Sequence, residues 1–325
     1  MTSSGTITFS ENCNQIILTA FRKIGAFASG EVPDQQSIQD ASDALNALCK
    51  HLETSGIHLW TETEGTLFLQ PGQASYGIGG GATDHATLST AYTLATLTAD
   101  APNGAGSITV SAATGFTAGS YIGVLLDSGT TFWTTQVGAI AGLVVTLAAP
   151  LSDSAAAGNF VFVYATQLER PLRIVGARKV QWSGTPAQQL ETPMNPMLAR
   201  LDYRSLPNKQ ATGIPTQIFY DPQLGTGVVN VWPAPQNSLY GVNFTFYRTI
   251  QDFDTAANTP DLPQEWIRTL YWNLAMEMAP EYDCPPERYQ MISEMAMKML
   301  DEVSGWDREP ESLYCGVSID QRSGN

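Results

Sequence analysis

Side chains able to do chemistry are few and scattered in this sequence. The three histidines, His51, His58 and His85, form neither an HxH nor an HxxxH pair, and His51 with Cys49 on one helical stretch is a poor start for a zinc site, so no metal is expected. Cys13, Cys49, Cys284 and Cys315 show no CxxC spacing and no density that would staple a small domain, which reads as free thiols in a reducing cytoplasm. No GxSxG, Walker A or GxGxxG element follows a strand. The Gly-rich YGIGGGATDHA (76–86) has no helix behind it and reads as a linker in place of a phosphate cradle. Two acidic pairs, Glu62 with Glu64 and Asp252 with Asp254, would suit a cell-wall hydrolase only if two carboxylates were held across a cleft at roughly 5 to 10 Å, and a solvated surface is the default. Trp133 with Tyr121 could offer a stacking platform to a glycan, against the commoner reading of both as core or interface residues. The expected catalytic, metal and cofactor sets are therefore empty, and the chain reads as a non-enzyme.

The elements that must carry these residues follow from periodicity. Ser10 can cap a helix with Ile16, Ile17, Ala20, Phe21, Ile24 and Phe27 at helical spacing, broken by Gly30 and Pro33. Asp34 starts a second helix, with Ile38, Ala41, Leu45, Leu48 and Leu52 on one face and Gln36, Gln39, Asp43 and Lys50 on the other. Leu59 to Gln70 alternates like a strand pair or an edge strand. From about 75 to 165, short β-branched and aromatic runs (SITV, YIGVLL, TFWTTQV, LVVTL, FVFVY) recur about every ten residues between turn clusters, the rhythm of a small sandwich or barrel. LRIVGARKVQW, TQIFY, GVVNVWP and YGVNFTFYRT then read as antiparallel strands. A short helix or turn is expected within 191–215, and two helices follow Pro263 and Pro285–Pro286. Methionines crowd these last helices and read as core packing ahead of a partner surface. The expected class is α+β: a mainly helical core with a small antiparallel β-sheet, plus an inserted all-β domain.

Charge is distributed unevenly. The chain holds 325 residues and a net charge of −15, with no Lys or Arg between residues 51 and 169. Most of the positive charge falls in residues 170–250, beginning with Arg170, Arg173, Arg178 and Lys179, and residues 251–325 are strongly acidic. Such a balance excludes a sequence-reading nucleic-acid binder and a cationic membrane-surface protein. The N-terminus lacks the basic and apolar regions of a signal peptide, and no run of about 18 apolar residues occurs, so neither export nor a membrane anchor is expected.

The N-terminal hairpin ending in LETSGIHLWTETEGTLFLQPGQASYGIG, the strands GIPTQIFYDP and VNVWPAP, and the helix DLPQEWIRTLYWNLAMEMAPEY together resemble the head-to-tail adaptors of short-tailed bacteriophages, also called tail accessory factors or packaged-DNA stabilisation proteins. The likeness covers about residues 10–75 and 165–305. It implies an adaptor core formed by 1–74 and 166–305, an inserted β domain at 75–165 to which no family role carries over, and an extended C-terminal arm at 306–325. It further implies a virion protein, assembled in the host cytoplasm, whose copies, usually twelve, form a ring at the head–tail junction. There the ring docks beneath the portal protein, extends the channel for double-stranded DNA without sequence-specific contacts, helps retain the genome, and connects to later tail proteins such as a nozzle, fibre or spike. The arm residues Trp306, Leu313, Tyr314, Val317 and Ile319 become candidates for portal binding. Arg170, Arg173, Arg178 and Lys179 become candidates for a subunit interface or a channel-facing block, with pairing to the acidic C-terminal helices of a neighbouring subunit favoured.

Overall fold

A computed structural model describes residues 5, 9–27, 30–54, 60–81, 84–136, 138, 140–182, 189–197 and 199–306. By contacts the chain makes two units: Met1–Trp60 with Ile250–Asn325, and Thr61–Thr249.

The first unit is helical. Helix α1 (Cys13–Ile24) is capped by Asn12, not Ser10: the Asn12 side chain accepts from the Gln15 amide and the Gln15 side chain accepts from the Asn12 amide, both at 2.9 Å. It stops at Gly25, earlier than the Gly30 break suggested. There φ is +84°, a left-handed conformation that favours glycine, and a Cβ would displace the Arg288 guanidinium, 1.6 Å away. Helix α2 (Gln35–Thr54) begins where Asp34 accepts the Ser37 amide at 2.7 Å, and buries Ala41, Leu45, Leu48, Cys49 and Leu52. Its opposite face carries side-chain bonds one turn apart, Gln36 to Asp40 and Gln39 to Asp43. Helix α4 (Ile267–Met278) is apolar on most sides and runs through the middle of the unit, meeting α1, α2 and α5 (Pro286–Trp306). Its polar Asn273 is buried but satisfied, donating to Thr269 O at 2.9 Å and Ala296 O at 3.4 Å. One core joins these helices, centred on Ile16, Phe21, Leu45, Trp266, Leu270 and Ile292. Full burial of each such side chain stabilises by about 1.5–3 kcal/mol before entropy is counted. Among the described residues no helix is long and apolar enough to cross a membrane.

The second unit is β. Its strands are β1 (Glu62–Phe68), β2 (Ser75–Ile78), β3 (Ala86–Leu88), β4 (Tyr92–Thr96), β5 (Ser107–Thr109), β6 (Tyr121–Leu125), β7 (Thr131–Thr135), β8 (Val144–Thr146), β9 (Phe160–Tyr164), β10 (Arg173–Gln181), β11 (Leu190–Pro193), β12 (Asn195–Met197), β13 (Thr212–Gly213), β14 (Gln217–Asp221), β15 (Gly227–Trp232), β16 (Ala234–Pro235) and β17 (Tyr240–Tyr247), with helix α3 (Arg200–Ser205) between β12 and β13. Two sheets, ordered β11-β10-β17-β1-β3 and β12-β14-β15-β2, face each other across a core of Leu67, Val242, Phe244 and Phe246 from the first and Tyr76, Ile218, Val229 and Val231 from the second. A third sheet, β4-β9-β6-β7, encloses its own aliphatic core with the β5–β8 pair. Period-two alternation gives the first sheet a second face. On it Phe68, Val180 and Trp182 pack against Leu125, Phe160, Phe162 and Tyr164 of the third sheet region, an aromatic joint inside the unit.

The expectation of a mainly helical core is therefore overturned. Among the described residues the chain carries seventeen strands in five sheets against five helices, a mainly β class. Long helices announce themselves by sustained periodicity. Strands of two to four residues such as β2, β3, β11, β12 and β13 carry too little pattern to register, yet they complete the sheets.

Candidate functional site

Strand β10 holds three of the four cations singled out in the sequence, and alternation with a bulge between Ile174 and Gly176 sets where they point. Arg173 stands opposite Tyr247 and Arg178 opposite Asn243, on the sheet face away from the two-sheet core. Lys179 lies on the other face, its Nζ 5.4 Å from the Tyr240 ring centre. Arg170 precedes the strand and meets the Tyr220 hydroxyl, whose pKa burial pushes up to about 12 against the pull of Arg170. The four cations do not share one face.

Arg178 is held within its own unit. Its guanidinium donates to Glu64 and, from Nε at 2.7 Å, to Glu191. The bond to Glu64 is the main cause raising the Arg178 pKa. A chain of bonds continues inward: Asn243 Nδ2 donates to Glu191 at 2.7 Å, and Thr66 Oγ1 donates to Asn243 Oδ1 at 2.8 Å. Glu64, half of the first acidic pair, is thereby committed to a guanidinium, while Glu62 is exposed opposite Tyr247. In the second pair, Asp252 binds Lys50 at 2.8 Å.

Trp133 sits in the aromatic joint. The His85 imidazole stacks on it with ring centres 3.9 Å apart and planes at 7°, and a Cβ on Gly123 would lie 2.7 Å from the indole, so the ring rests directly on that glycine. Tyr121 meets His85 edge-on and stacks on Tyr164. Both proposed platform rings are half-buried and packed against other rings of the joint. His85 Nδ1 lies 2.6 Å from the Tyr164 hydroxyl, and burial lowers the His85 pKa to about 4 despite the opposing effect of Asp84.

Two features of the helical unit face outward. One is Trp306, the last residue of α5 and so helical where an extended arm was expected to begin. It continues the stripe of buried Ile292, Ala296 and Met299 and half-buried Val303 at steps of three and four, yet it is 55% exposed. Its ring lies against that of Trp60, 39% exposed, with centres 5.7 Å apart and planes tilted at 37°. The other arm candidates, Leu313, Tyr314, Val317 and Ile319, lie outside the described residues. The second feature is a cavity of about 440 Å³ among α2, α4 and α5, with Leu48, Leu52, Met276, Tyr289 and Leu300 on its walls and Glu277 beside His51 at its polar side. Burial raises the Glu277 pKa, partly offset by His51 and reinforced by Glu281.

Sequence reasoning missed a clasp within the helical unit. Asn46, Lys50 and Glu53, at helical spacing on α2, grip the backbone of 250–253. Asn46 accepts the Phe253 amide at 2.8 Å and donates to its carbonyl, Glu53 accepts the Ile250 amide at 2.6 Å, and Lys50 donates to Ile250 O at 2.6 Å. Desolvation acts to lower the Lys50 pKa, but Asp252 and Glu53 outweigh it and leave it raised. The signal was the i, i+4, i+7 row of polar residues, which as a sequence reads as a solvated face. Among the described residues no three His, Cys, Asp or Glu side chains are placed to hold a metal ion. No protein-family model and no curated protein matches the chain.

Proposed function

We propose that this chain is a structural subunit of the head–tail junction of a short-tailed bacteriophage. Copies would form a ring beneath the portal, extend the DNA channel, help retain the packaged genome and receive later tail proteins. The observation that carries the reading is the Trp60–Trp306 pair. Two large rings stand half in solvent at the root of residues 307–325, where a partner-binding arm would need a rigid anchor. The charge pattern also suits it. With eight Lys and Arg against 21 Asp and Glu, residues 1–60 and 250–325 carry a net −13, and 61–249 carry −2. Such a surface lets a polyanion slide past without gripping it. The quoted helical segments of the resemblance fall in α1, α2 and α4, and its strand segments in β14, β15 and β16.

The test is mass measurement of the protein with and without a portal ring. At micromolar concentration the expected outcome is a small species alone and a closed ring on the portal. Deleting 307–325, or changing Trp306→Ala, should weaken portal binding about tenfold or more while leaving the fold intact. Portal affinity unchanged by both variants would remove the reading.

A further inference from the structure

We propose that a second copy of this chain seats Leu201, from its helix α3, in the α2–α4–α5 pocket, with Arg204 of that helix reaching Glu277 at the pocket wall. This deepens the ring reading by naming the subunit contact, and it rests on that reading only for closure of the contact into a ring.

The donor is an apolar anchor with a cation beside it. Leu201 is 75% exposed, and Arg204, three residues on and also exposed, shares its side of the helix. A six-residue helix would not hold its shape by propensity alone. Here it is pinned: Tyr203 stacks on Phe219 with centres 5.2 Å apart and planes at 11°, and Lys209 donates to Arg204 O and Leu206 O while its Nζ lies 5.5 Å from the Tyr203 ring. Arg200 is tied to Asp221. The knob is thus preorganised, which lowers the ordering cost of docking.

The acceptor matches in size and sign. A cavity of about 440 Å³ with apolar walls takes a leucine and its flanking atoms, and its acid belongs to a unit of net −13. Other occupants fit less well. Residues 307–325 hold two basic and four acidic side chains, the wrong balance for an acidic unit. Leu224, fully exposed, follows Asp221 in sequence and is flanked by no cation. Because donor and acceptor are different patches of one chain, a copy that has docked its Leu201 still offers a pocket, so the contact can repeat head to tail, as a ring requires.

The experiment is sedimentation of the full chain at up to ~1 mM in low salt, a range suited to one small contact. Leu201→Asp, Arg204→Glu and Glu277→Arg all alter exposed side chains, so the fold is not at stake. Each should lower the association constant about tenfold, and the Arg204→Glu/Glu277→Arg pair should recover to within about threefold of the parent. A parent that stays monomeric, single variants that associate normally, or a pair that fails to recover would each overturn the proposal. Amide-exchange protection of residues 47–52 that survives Leu201→Asp but disappears on deleting 307–325 would put the chain's own tail in the pocket and overturn it as well. Recovery by the swapped pair with no binding to a portal ring would support the contact while removing the adaptor reading.

Discussion

At the scale of single residues, His85 pays for its place in the aromatic joint with its basicity. The folded protein holds the imidazole neutral down to about pH 4, whereas the unfolded chain takes up a proton near the ordinary 6.5. As pH falls through that window the unfolded state binds a proton that the folded state refuses, so stability drops between 6.5 and 4 and levels off below, by about 3 kcal/mol. Urea midpoints measured across this range should fall in the parent and fall clearly less in His85→Gln; parallel curves would show that His85 does not govern the slope. The Arg178 network gives a second ordering. Arg178 and its two carboxylates are each more than a third exposed, so Arg178→Ala should cost under about 1 kcal/mol. Asn243 is 8% exposed and bridges Glu191 to Thr66, so Asn243→Ala should cost about 1–3 kcal/mol, and calorimetry that reverses this order would contradict the assignment.

At the scale of elements, the α2 clasp makes a prediction of its own. Glu53 has a side chain 8% exposed and accepts both the Ile250 amide and the Lys50 ammonium. Glu53→Ala should therefore destabilise the helical unit by about 2–4 kcal/mol and open the 250–262 segment to protease, while Asp40→Ala on the outer face of the same helix should do neither. How much of this was legible from sequence depended on element length. The stripes of α1, α2, α4 and α5, the β-branched and aromatic runs of β6, β9, β10 and β15, and the alternation of β17 could be read because each element spans at least five residues. Leu88 or Leu190 could not reveal a strand, since edge strands of three or four residues are specified by the partner that pairs with them. Arg178, Glu64 and Glu191 are far apart in sequence, and only the register of β1, β10 and β11 brings them together. Trp133, weighed first as a core or interface ring, is half-buried and packs on Phe68, His85 and Tyr164.

At the scale of the whole molecule, the uneven charge has a measurable effect. A net −13 on the helical unit repels itself, and salt screens that repulsion. Raising NaCl from about 50 to 500 mM should slow amide exchange in α4 and α5 more than in β10 and β17; equal slowing would mean that the acids are already locally paired.

The β unit begins and ends on neighbouring strands. Arg248 N donates to Thr61 O at 2.9 Å, and β1 pairs antiparallel with β17 along its whole length, from Glu62 opposite Tyr247 to Phe68 opposite Gly241, at the middle of their sheet. Both covalent links to the helical unit therefore leave from one end of one strand pair. Tension that draws the two units apart loads β1 and β17 in the same direction and shares the pull between them, so the inter-strand bonds are not peeled open one by one. The chain attaches its larger unit as a strap with two equal tails.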